Sequence, residues 1–204
     1  MTKKLLEIER KRQLTGNIEE LIGRLQNIGF ELKSNLREID TYYSRPDVDF
    51  MQTVECLRIR QRDSFAEVTY KPATTAATHT ENNVIIKPET NLPIQPEDAA
   101  TAKQLLTNLG MVQLVEVNKY RRSFQSSDFP QATVAIDEIK GAGTFVEVEV
   151  LSDDEASALM MISELETKLG LNSMEIVTRP YRDICMGYQE RWRHKTSQLH
   201  SQPI

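Results

Sequence analysis

The chain has 204 residues, of which 39% are hydrophobic and 27% are charged, and its formal net charge is −5 at pH 7. This length suits one domain with a good core, and the composition is that of an ordinary globular protein. The acidic balance argues against a general nucleic-acid or membrane-surface binder, because such proteins carry an excess of Lys and Arg. We therefore expect no nucleic-acid partner and no membrane partner.

The two cysteines, Cys56 and Cys185, show no CxxC spacing and no Cys/His ligand spacing. We expect both to be reduced and structural. No run of 18 apolar residues occurs, and the first residues lack the apolar region of a signal peptide. These features predict a cytoplasmic protein.

The first predicted strand, residues 7–11, alternates with a period of two. Glu7, Glu9 and Lys11 share one face, and Ile8 lies on the other. Taken alone, this pattern is typical of an edge strand whose polar side is in water. Asn17 is then placed to cap a helix with apolar residues at helical spacing, and Gly29 is placed to end it.

Three more β-prone segments follow, at residues 36–43, 56–62 and 65–71. The second places Arg58 and Arg60 on one face, and the third places Lys71 opposite Val68 and Tyr70. We read residues 72–78 as a flexible loop and residues 79–87 as a further strand. A connection rich in proline at 88–96 leads to a second helix at about 97–109.

The second half repeats this plan of a helix, a glycine and charged strands. Strands are predicted at 115–124, 133–139 and 145–150, and their charged positions are Lys119, Arg121, Asp137, Glu147 and Glu149. Ser152 and Glu155 have capping-box spacing, and the third helix should run from there to Gly170. A last element, a short helix, is predicted to begin at Arg179-Pro180-Tyr181 and to reach Tyr188. We expect residues 1–190 to form a single domain and the polar segment 191–204 to be a disordered tail.

The charged strand faces together favour a site for a polyanion. If helices cover the apolar sides, the charged sides must face each other or water, and dry unpaired charges would be prohibitively costly. We therefore predict that the strands form a wet, barrel-like tunnel. Carboxylates in such a tunnel suit hard divalent cations, and Arg and Lys suit phosphate oxygens. The chain has no GxxxxGK[ST] loop, which excludes a P-loop enzyme.

The order of the motifs resembles the CYTH superfamily, the triphosphate tunnel metalloenzymes. This superfamily includes class IV adenylyl cyclases, thiamine triphosphatases and inorganic tripolyphosphatases. The resemblance rests on eight stretches in the family's order between residues 7 and 181: Glu7-Ile8-Glu9-Arg10-Lys11, Asp40-Thr41-Tyr42-Tyr43, Leu57-Arg58-Ile59-Arg60, Thr69-Tyr70-Lys71-Pro72, Lys119-Tyr120-Arg121, Asp137, the stretch from Gly143 to Glu149, and Arg179-Pro180-Tyr181.

The resemblance implies an α+β fold in which an eight-stranded antiparallel sheet closes into a β-barrel with helices packed outside. It also implies a triphosphate bound inside this tunnel through Mg²⁺ or Mn²⁺. The residues implied to hold the triphosphate are Lys11, Arg58, Arg60, Lys71, Lys119 and Arg121, with Arg179 near its end. The residues implied on the metal side are Glu7, Glu9, Glu147, Glu149 and Asp137, with Glu81 as the carboxylate retained from a further family motif. Tyr42 and Lys119 match a tyrosine–lysine pair that is implicated in activating water in hydrolytic members.

The chain departs from the family pattern in two places. His79 and Asn83 stand where the family often has arginine and a second glutamate, and no glycine follows Lys71. The leading hypothesis is hydrolysis of tripolyphosphate, thiamine triphosphate or a nucleoside triphosphate. The alternatives are a class IV adenylyl cyclase, a non-catalytic polyphosphate or nucleotide binder, and a barrel with surface charges and no anion site. Whether the molecule forms a homodimer is left open.

Overall fold

Eight antiparallel strands in one sheet dominate the structure, a computed structural model that describes residues 6–73 and 89–187. The strands are β1 Leu6–Gln13, β2 Glu31–Ser44, β3 Cys56–Arg62, β4 Phe65–Lys71, β5 Thr90–Ile94, β6 Val112–Gln125, β7 Ala132–Ile139 and β8 Gly143–Ser152. The helices are α1 Ile18–Asn27, α2 Ala99–Asn108 and α3 Glu155–Leu169, with a 3₁₀ turn at Pro96–Asp98 and helical backbone over 181–187. None of the described helices is both long and apolar enough to cross a bilayer.

The strand order is β1-β8-β7-β6-β2-β3-β4-β5, and every neighbouring pair is antiparallel. Directly opposed residues project from the same face of a sheet. The register therefore places the predicted charged positions, together with Glu38 and Asp40, on a common face. The opposed pairs are Glu9–Glu149, Lys11–Glu147, Arg121–Asp137, Lys119–Glu38 and Asp40–Arg60. We call this side of the sheet the charged face.

The charged face is strongly curled. Lys71 on β4 and Glu9 on β1 are six strands apart, which in a flat sheet would separate them by about 29 Å. Burial lowers the pKa of Lys71, but the charges of Glu9 and Glu89 more than offset this effect and hold that pKa above its usual value. Geometry shows the same curvature, because Lys11 on β1 and Lys119 on β6 lie 4.2 and 5.5 Å from one Tyr181 ring centre, whereas a flat sheet would place their strands about 14 Å apart. Within the described ranges no hydrogen-bonded pairing joins β1 to β5, so closure into a barrel stays a prediction.

The helices cover the opposite face, as the alternating strands predict. α1 and α3 bury Leu21, Leu25, Ile162 and Leu165 against the apolar sides of β1, β7 and β8, including Ile8, Val134, Ile136, Val146 and Val148. α2 packs over a smaller cluster formed with β2, β3 and β4. With one side covered by helices, the sheet has its charged side left for a ligand.

The predicted helix ends are confirmed, with one correction. Asn17 accepts a hydrogen bond from the Glu19 amide at 2.9 Å, and Gly170 ends α3 in the left-handed region at φ 70°. The predicted capping box at Ser152 and Glu155 is wrong, because Asp154 is the N-cap of α3 and accepts from the Ala156 amide. Ser152 still belongs to β8, so its hydroxyl instead accepts from the Asp154 amide.

The region before α2 contains a strand that the sequence pattern did not predict. β5 forms within the proline-rich stretch 88–96, where we expected only a connection, and it pairs with β4. Pro93 is tolerated because β5 is an edge strand of the described sheet, where a missing N–H costs no ladder bond. The predicted strand at 79–87, with Glu81, and the predicted tail at 191–204 lie outside the described residues.

Candidate active site

The centre of the charged face is a buried network of opposite charges, which we call the central cluster: Lys119, Glu38, Asp40, Arg58 and Arg60. Its members come from β6, β2 and β3, which are neighbours in the sheet. Asp40 accepts two hydrogen bonds from Arg60, at 2.7 and 2.8 Å. The ammonium of Lys119 lies 2.9 Å from Glu38 and 3.8 Å from Asp40. The cluster is therefore held together by charge-assisted contacts across three strands.

The two key groups of this cluster have pKa values shifted downward for different reasons. Burial alone would raise the pKa of Asp40, but Arg60 and Lys119 outweigh it and hold that pKa well below its ordinary value. Burial, with repulsion from Arg121 and Arg60, lowers the pKa of Lys119. Asp40 thus stays ionised, and Lys119 surrenders its proton more readily than a surface lysine.

The cation side of the cluster retains one donor that no described protein group satisfies. The Nε atom of Arg58 is buried and has no hydrogen-bond partner within the described residues. The Arg58 guanidinium lies 3.9 Å from Asp40 and 3.6 Å from Glu89, and Lys71 lies 3.1 Å from Glu89. Buried donors without partners are costly, so this side of the face is suited to an anionic ligand.

A second group on the charged face consists of Glu7, Glu9 and Glu149, which we call the acidic cluster. It lies on β1 and β8 at one edge of the sheet. Burial, together with the nearby charges of Glu7 and Glu9, raises the pKa of Glu149 to about 8. Burial and Glu147 likewise raise the pKa of Glu9. These carboxylates repel one another, in contrast to the paired acids of the central cluster.

The acidic cluster has the chemistry of a hard-cation site. Its donors are carboxylate oxygens, which Mg²⁺ and Mn²⁺ prefer, and bringing in a cation would relieve their repulsion. In the described part of the chain, no three acidic, His or Cys side chains are already arranged closely enough to enclose a metal ion. The residue types therefore fit a divalent metal, and phosphate oxygens would have to supply part of its shell.

Arg121 on β6 binds two acids of the neighbouring strands that belong to neither cluster, Asp137 on β7 and Glu147 on β8. It donates to Asp137 at 2.7 Å through Nε, and its Nη2 forms ion pairs with both Asp137 and Glu147. Arg121 offsets the effect of burial on Glu147 and holds its pKa at about 2. Asp137 and Glu147, both predicted on the metal side, are thus bound to a guanidinium in this structure.

The remaining predicted residues occupy different surroundings. Lys11 is buried, and its ammonium lies 4.2 Å from the centre of the Tyr181 ring. Tyr42 is buried in an apolar cluster with Val115 and Val117, and burial, followed by the charge of Asp40, raises its pKa. Arg179 is exposed, whereas the neighbouring Arg182 is almost completely buried.

Sequence reasoning missed several residues of the charged face. Glu38 and Asp40 alternate with Tyr42 on β2, so the two-residue period was a signal that could have found them. Tyr181 belongs to a sequence motif that predicted no role for it, yet its hydroxyl donates a hydrogen bond to Asp137 at 2.9 Å. No local pattern predicts that contact, because Tyr181 lies outside the strands and reaches the charged face only through the folded chain.

Comparisons with known proteins agree with this architecture. A family model described as CYTH domain matches residues 5–181. A candidate adenylate cyclase from Methanocaldococcus jannaschii is 25% identical over 183 residues, which are 88% of this chain and 98% of that protein.

Two solved structures have the same fold. A protein from Pyrococcus horikoshii superposes with a TM-score of 0.71 at 26% identity, covering 89% of this chain and 98% of its own. A candidate adenylyl cyclase from Hippeastrum superposes with a TM-score of 0.65 at 14% identity, covering 87% and 94%. With a family model that spans most of the sequence and a matching fold, the chain belongs to the CYTH domain family.

Proposed function

We propose that this protein is a divalent-metal-dependent enzyme that hydrolyses a triphosphate bound on its charged face. The observation that carries the proposal is the proximity of two unlike clusters on one curled face. The central cluster supplies buried cations, and the acidic cluster supplies carboxylates whose burial and mutual repulsion raise the pKa of Glu149 to about 8. A metal–triphosphate complex carries a positive metal ion, which the acidic cluster would bind, and negative phosphates, which the central cluster would bind.

The cations of the charged face would contact the triphosphate. We assign this role to Lys11, Arg58, Arg60, Lys71, Lys119 and Arg121, with Arg179 at the exposed end. Arg58 is favoured by its buried Nε, which lacks a partner among the described residues. Guanidinium and ammonium groups fixed in a buried site stabilise the charge that develops on transferring phosphoryl oxygens.

The metal side would consist of Glu7, Glu9 and Glu149, with Asp137 and Glu147 joining when Arg121 turns to phosphate, and with Glu81 from outside the described residues. A bound Mg²⁺ or Mn²⁺ would neutralise charge on the phosphate oxygens and polarise the bond to be cleaved.

Lys119 is the candidate proton acceptor for the attacking water. Its lowered pKa is caused first by burial and then by Arg121 and Arg60. A lysine whose pKa approaches the working pH is a more effective general base than a surface lysine. Glu38, whose carboxylate lies 2.9 Å from the Lys119 nitrogen, would hold that side chain near the substrate. Lys119 would act as a base in its neutral form and as a phosphate ligand in its charged form.

Tyr42 is the second candidate catalytic residue, and Tyr43 is its natural control. The two are consecutive on β2, so they project from opposite faces. If the Tyr42 hydroxyl helps to orient water, Tyr42→Phe should lower kcat by roughly tenfold. Tyr43→Phe should leave kcat unchanged, because the Tyr43 hydroxyl is buried in the cluster under α2. Equal kcat values in both variants would remove Tyr42 from the proposed mechanism.

Cyclisation of ATP to cyclic AMP is the second candidate function. It is favoured by the M. jannaschii relative, which is named as a candidate adenylate cyclase. Hydrolysis and cyclisation differ in the nucleophile, which is water in one and a ribose hydroxyl in the other. The Hippeastrum protein, also a candidate adenylyl cyclase, has a dominant triphosphatase activity, so this fold accommodates hydrolysis.

The deciding experiment incubates purified protein with Mg²⁺ or Mn²⁺ and, separately, tripolyphosphate, thiamine triphosphate or ATP. Release of orthophosphate supports hydrolysis and identifies the substrate. Cyclic AMP with pyrophosphate identifies a cyclase instead. Binding without any product would indicate a polyphosphate or nucleotide sensor, and an unchanged melting temperature with every triphosphate would exclude an anion site.

The variant Glu9→Gln separates an enzyme from a sensor. In an enzyme, loss of this carboxylate should reduce turnover far more than triphosphate affinity. Glu164→Gln is the matched control, because Glu164 is exposed on α3 and forms only a surface pair with Lys168. If Glu9→Gln loses turnover and triphosphate affinity equally, the role of Glu9 is not confined to binding the metal.

A further inference from the structure

The chain after α3 returns to the sheet and crosses one end of the charged face. On one side, the Val177 amide donates to the Lys11 carbonyl at 2.8 Å, and the Gln13 amide donates to the Glu175 carbonyl at 3.0 Å. On the other side, Arg182 donates to the carbonyls of Glu55 and Phe50, at 2.5 and 3.1 Å, in the loop between β2 and β3. The segment 175–187 is thus anchored at both ends of its crossing.

Tyr181 is the side chain that this segment directs into the charged face. Only 7% of it is exposed, its ring packs edge-on against Phe145 at 5.2 Å, and its hydroxyl donates to Asp137. The ammonium of Lys11 lies 4.2 Å from the ring centre, and that of Lys119 lies 5.5 Å from it. One aromatic ring therefore lies beside two lysines that come from strands three places apart in the sheet.

The two lysines differ in what else holds them. Lys119 forms ion pairs with Glu38 and Asp40. Across residues 6–73 and 89–187, by contrast, Lys11 forms no ion pair within 4 Å. Its charge acts on Glu147 and Glu9 from farther away, where it lowers the pKa of each, and its ammonium contacts the Tyr181 ring. A long lysine side chain without such a contact would sample many rotamers, and ordering it on substrate binding would cost affinity.

We infer that Tyr181 is a positioning residue whose ring holds the Lys11 ammonium, and to a lesser extent that of Lys119, towards the triphosphate. This inference rests on the proposed function, because it assigns Lys11 to the substrate. The ring face attracts the ammonium through its quadrupole, and the hydroxyl bond to Asp137 fixes the ring. The C-terminal segment consequently completes a site that the strands alone leave unfinished.

The substitutions Tyr181→Leu and Tyr181→Phe separate the ring from the hydroxyl. Loss of a buried cation–π contact corresponds to a weakening of tripolyphosphate binding by roughly three- to thirtyfold in Tyr181→Leu. Tyr181→Phe keeps the ring and should lose much less affinity, so the conservative variant rescues the effect. Tyr120→Leu serves as the control, because Tyr120 is a half-exposed tyrosine on β6 outside the site.

The measurement is calorimetric binding of tripolyphosphate with Mg²⁺, together with KM and kcat where turnover occurs. A role in positioning predicts a raised KM in Tyr181→Leu and little further loss when Lys11→Met is added to it. Equal affinities for Tyr181→Leu and Tyr181→Phe, with turnover intact in the parent protein, would overturn the inference alone. Absence of both binding and turnover in the parent protein would overturn the proposed function and the inference with it.

The contact itself has a signature that needs neither substrate nor a Tyr181 variant. In protein with ¹³C-labelled lysine, the ring current of Tyr181 should shift the ε-methylene signal of Lys11 upfield, and Lys11→Arg should remove that signal. If the signal assigned to Lys11 shows no upfield shift, the ring does not hold this ammonium. This readout also replaces the Leu variant if that variant fails to fold.

Discussion

The central cluster is largely buried and the acidic cluster is half-buried on the same charged face, and their carboxylates behave in opposite ways. In the central cluster, Arg60 and Lys119 hold the pKa of Asp40 below its ordinary value. In the acidic cluster, burial and the charges of Glu7 and Glu9 raise the pKa of Glu149 to about 8. The first cluster satisfies its acids from within the protein, whereas the second would be satisfied by a cation from outside.

This difference distinguishes carboxylates that stabilise the fold from carboxylates that would bind a ligand. The number of charges alone would not distinguish the two groups. Acids paired with fixed cations stabilise the fold and orient those cations. Acids that repel one another weaken the fold until a ligand arrives, and their repulsion then contributes to the affinity for the ligand. Four variants or conditions, ordered by the size of the expected effect, test whether the contrast holds.

The largest effect is expected for Lys119→Met, which asks whether the central cluster is more than a structural network. Removing the proposed base should lower kcat on the preferred triphosphate by about 10²- to 10⁴-fold. Steady-state kinetics would measure it, with circular dichroism to confirm folding and Lys168→Met as an exposed control. If kcat is retained in Lys119→Met, Lys119 is not the base, and the central cluster is a structural network without a catalytic role.

The next effect is on stability, and it concerns Asp40→Asn. This change leaves Arg60 without its bidentate partner in a buried site and should reduce the free energy of unfolding by about 3–5 kcal/mol. Urea denaturation of the metal-free protein would measure it. Asp47→Asn removes an exposed pair with Arg45 and should leave the free energy of unfolding nearly unchanged, so similar losses in the two variants would contradict a special role for Asp40.

The acidic cluster predicts the opposite sign for Glu149→Gln. Removing one of three repelling carboxylates should raise the free energy of unfolding of the metal-free protein at pH 8.5, by about 1–2 kcal/mol. The same variant should gain less stability from Mg²⁺ than the parent protein does. A destabilised Glu149→Gln in EDTA would mean that Glu149 makes a favourable contact and does not belong to a cation site.

The pH dependence of stability gives the smallest but most selective test. A carboxyl whose folded pKa is raised binds a proton more tightly in the native state, so Glu149 should make the metal-free protein lose stability as pH rises from about 4.5 to about 8. Glu147, whose folded pKa is lowered to about 2, contributes stability that is present above about 4.5 and lost as pH falls towards 2. Urea unfolding in EDTA across this range would show both windows.

The two windows can be assigned with variants already described. Glu149→Gln should flatten the slope between about pH 5 and 8 and leave the acid limb in place. Because the metal binds ionised carboxylates, Mg²⁺ should stabilise the parent protein more at pH 8.5 than at pH 6. A parent protein whose stability is level from pH 5 to 8 would refute the repulsion within the acidic cluster.

Much of the architecture was determined by local sequence alone. The two-residue alternation around Glu7, Arg58, Lys119 and Glu147 predicted which side chains share a strand face, and the register confirms it. Asn17, Gly29 and Gly170 marked helix ends because capping depends on a few consecutive residues. Helical and strand periodicities extend over a few consecutive residues, so a short stretch of sequence is enough to detect them.

The tertiary structure decided which charges neutralise each other. Glu38 meets Lys119 because β2 lies beside β6, and the sequence distance between them contains no signal for that pairing. Arg121 forms ion pairs with Asp137 and Glu147, whereas Glu149 lies near the like charges of Glu7 and Glu9. Tyr181 reaches Lys11 only because the segment after α3 folds back across the sheet. Local sequence supplied the charged positions, but their partners follow from strand order and curvature, which depend on contacts between residues far apart in the chain.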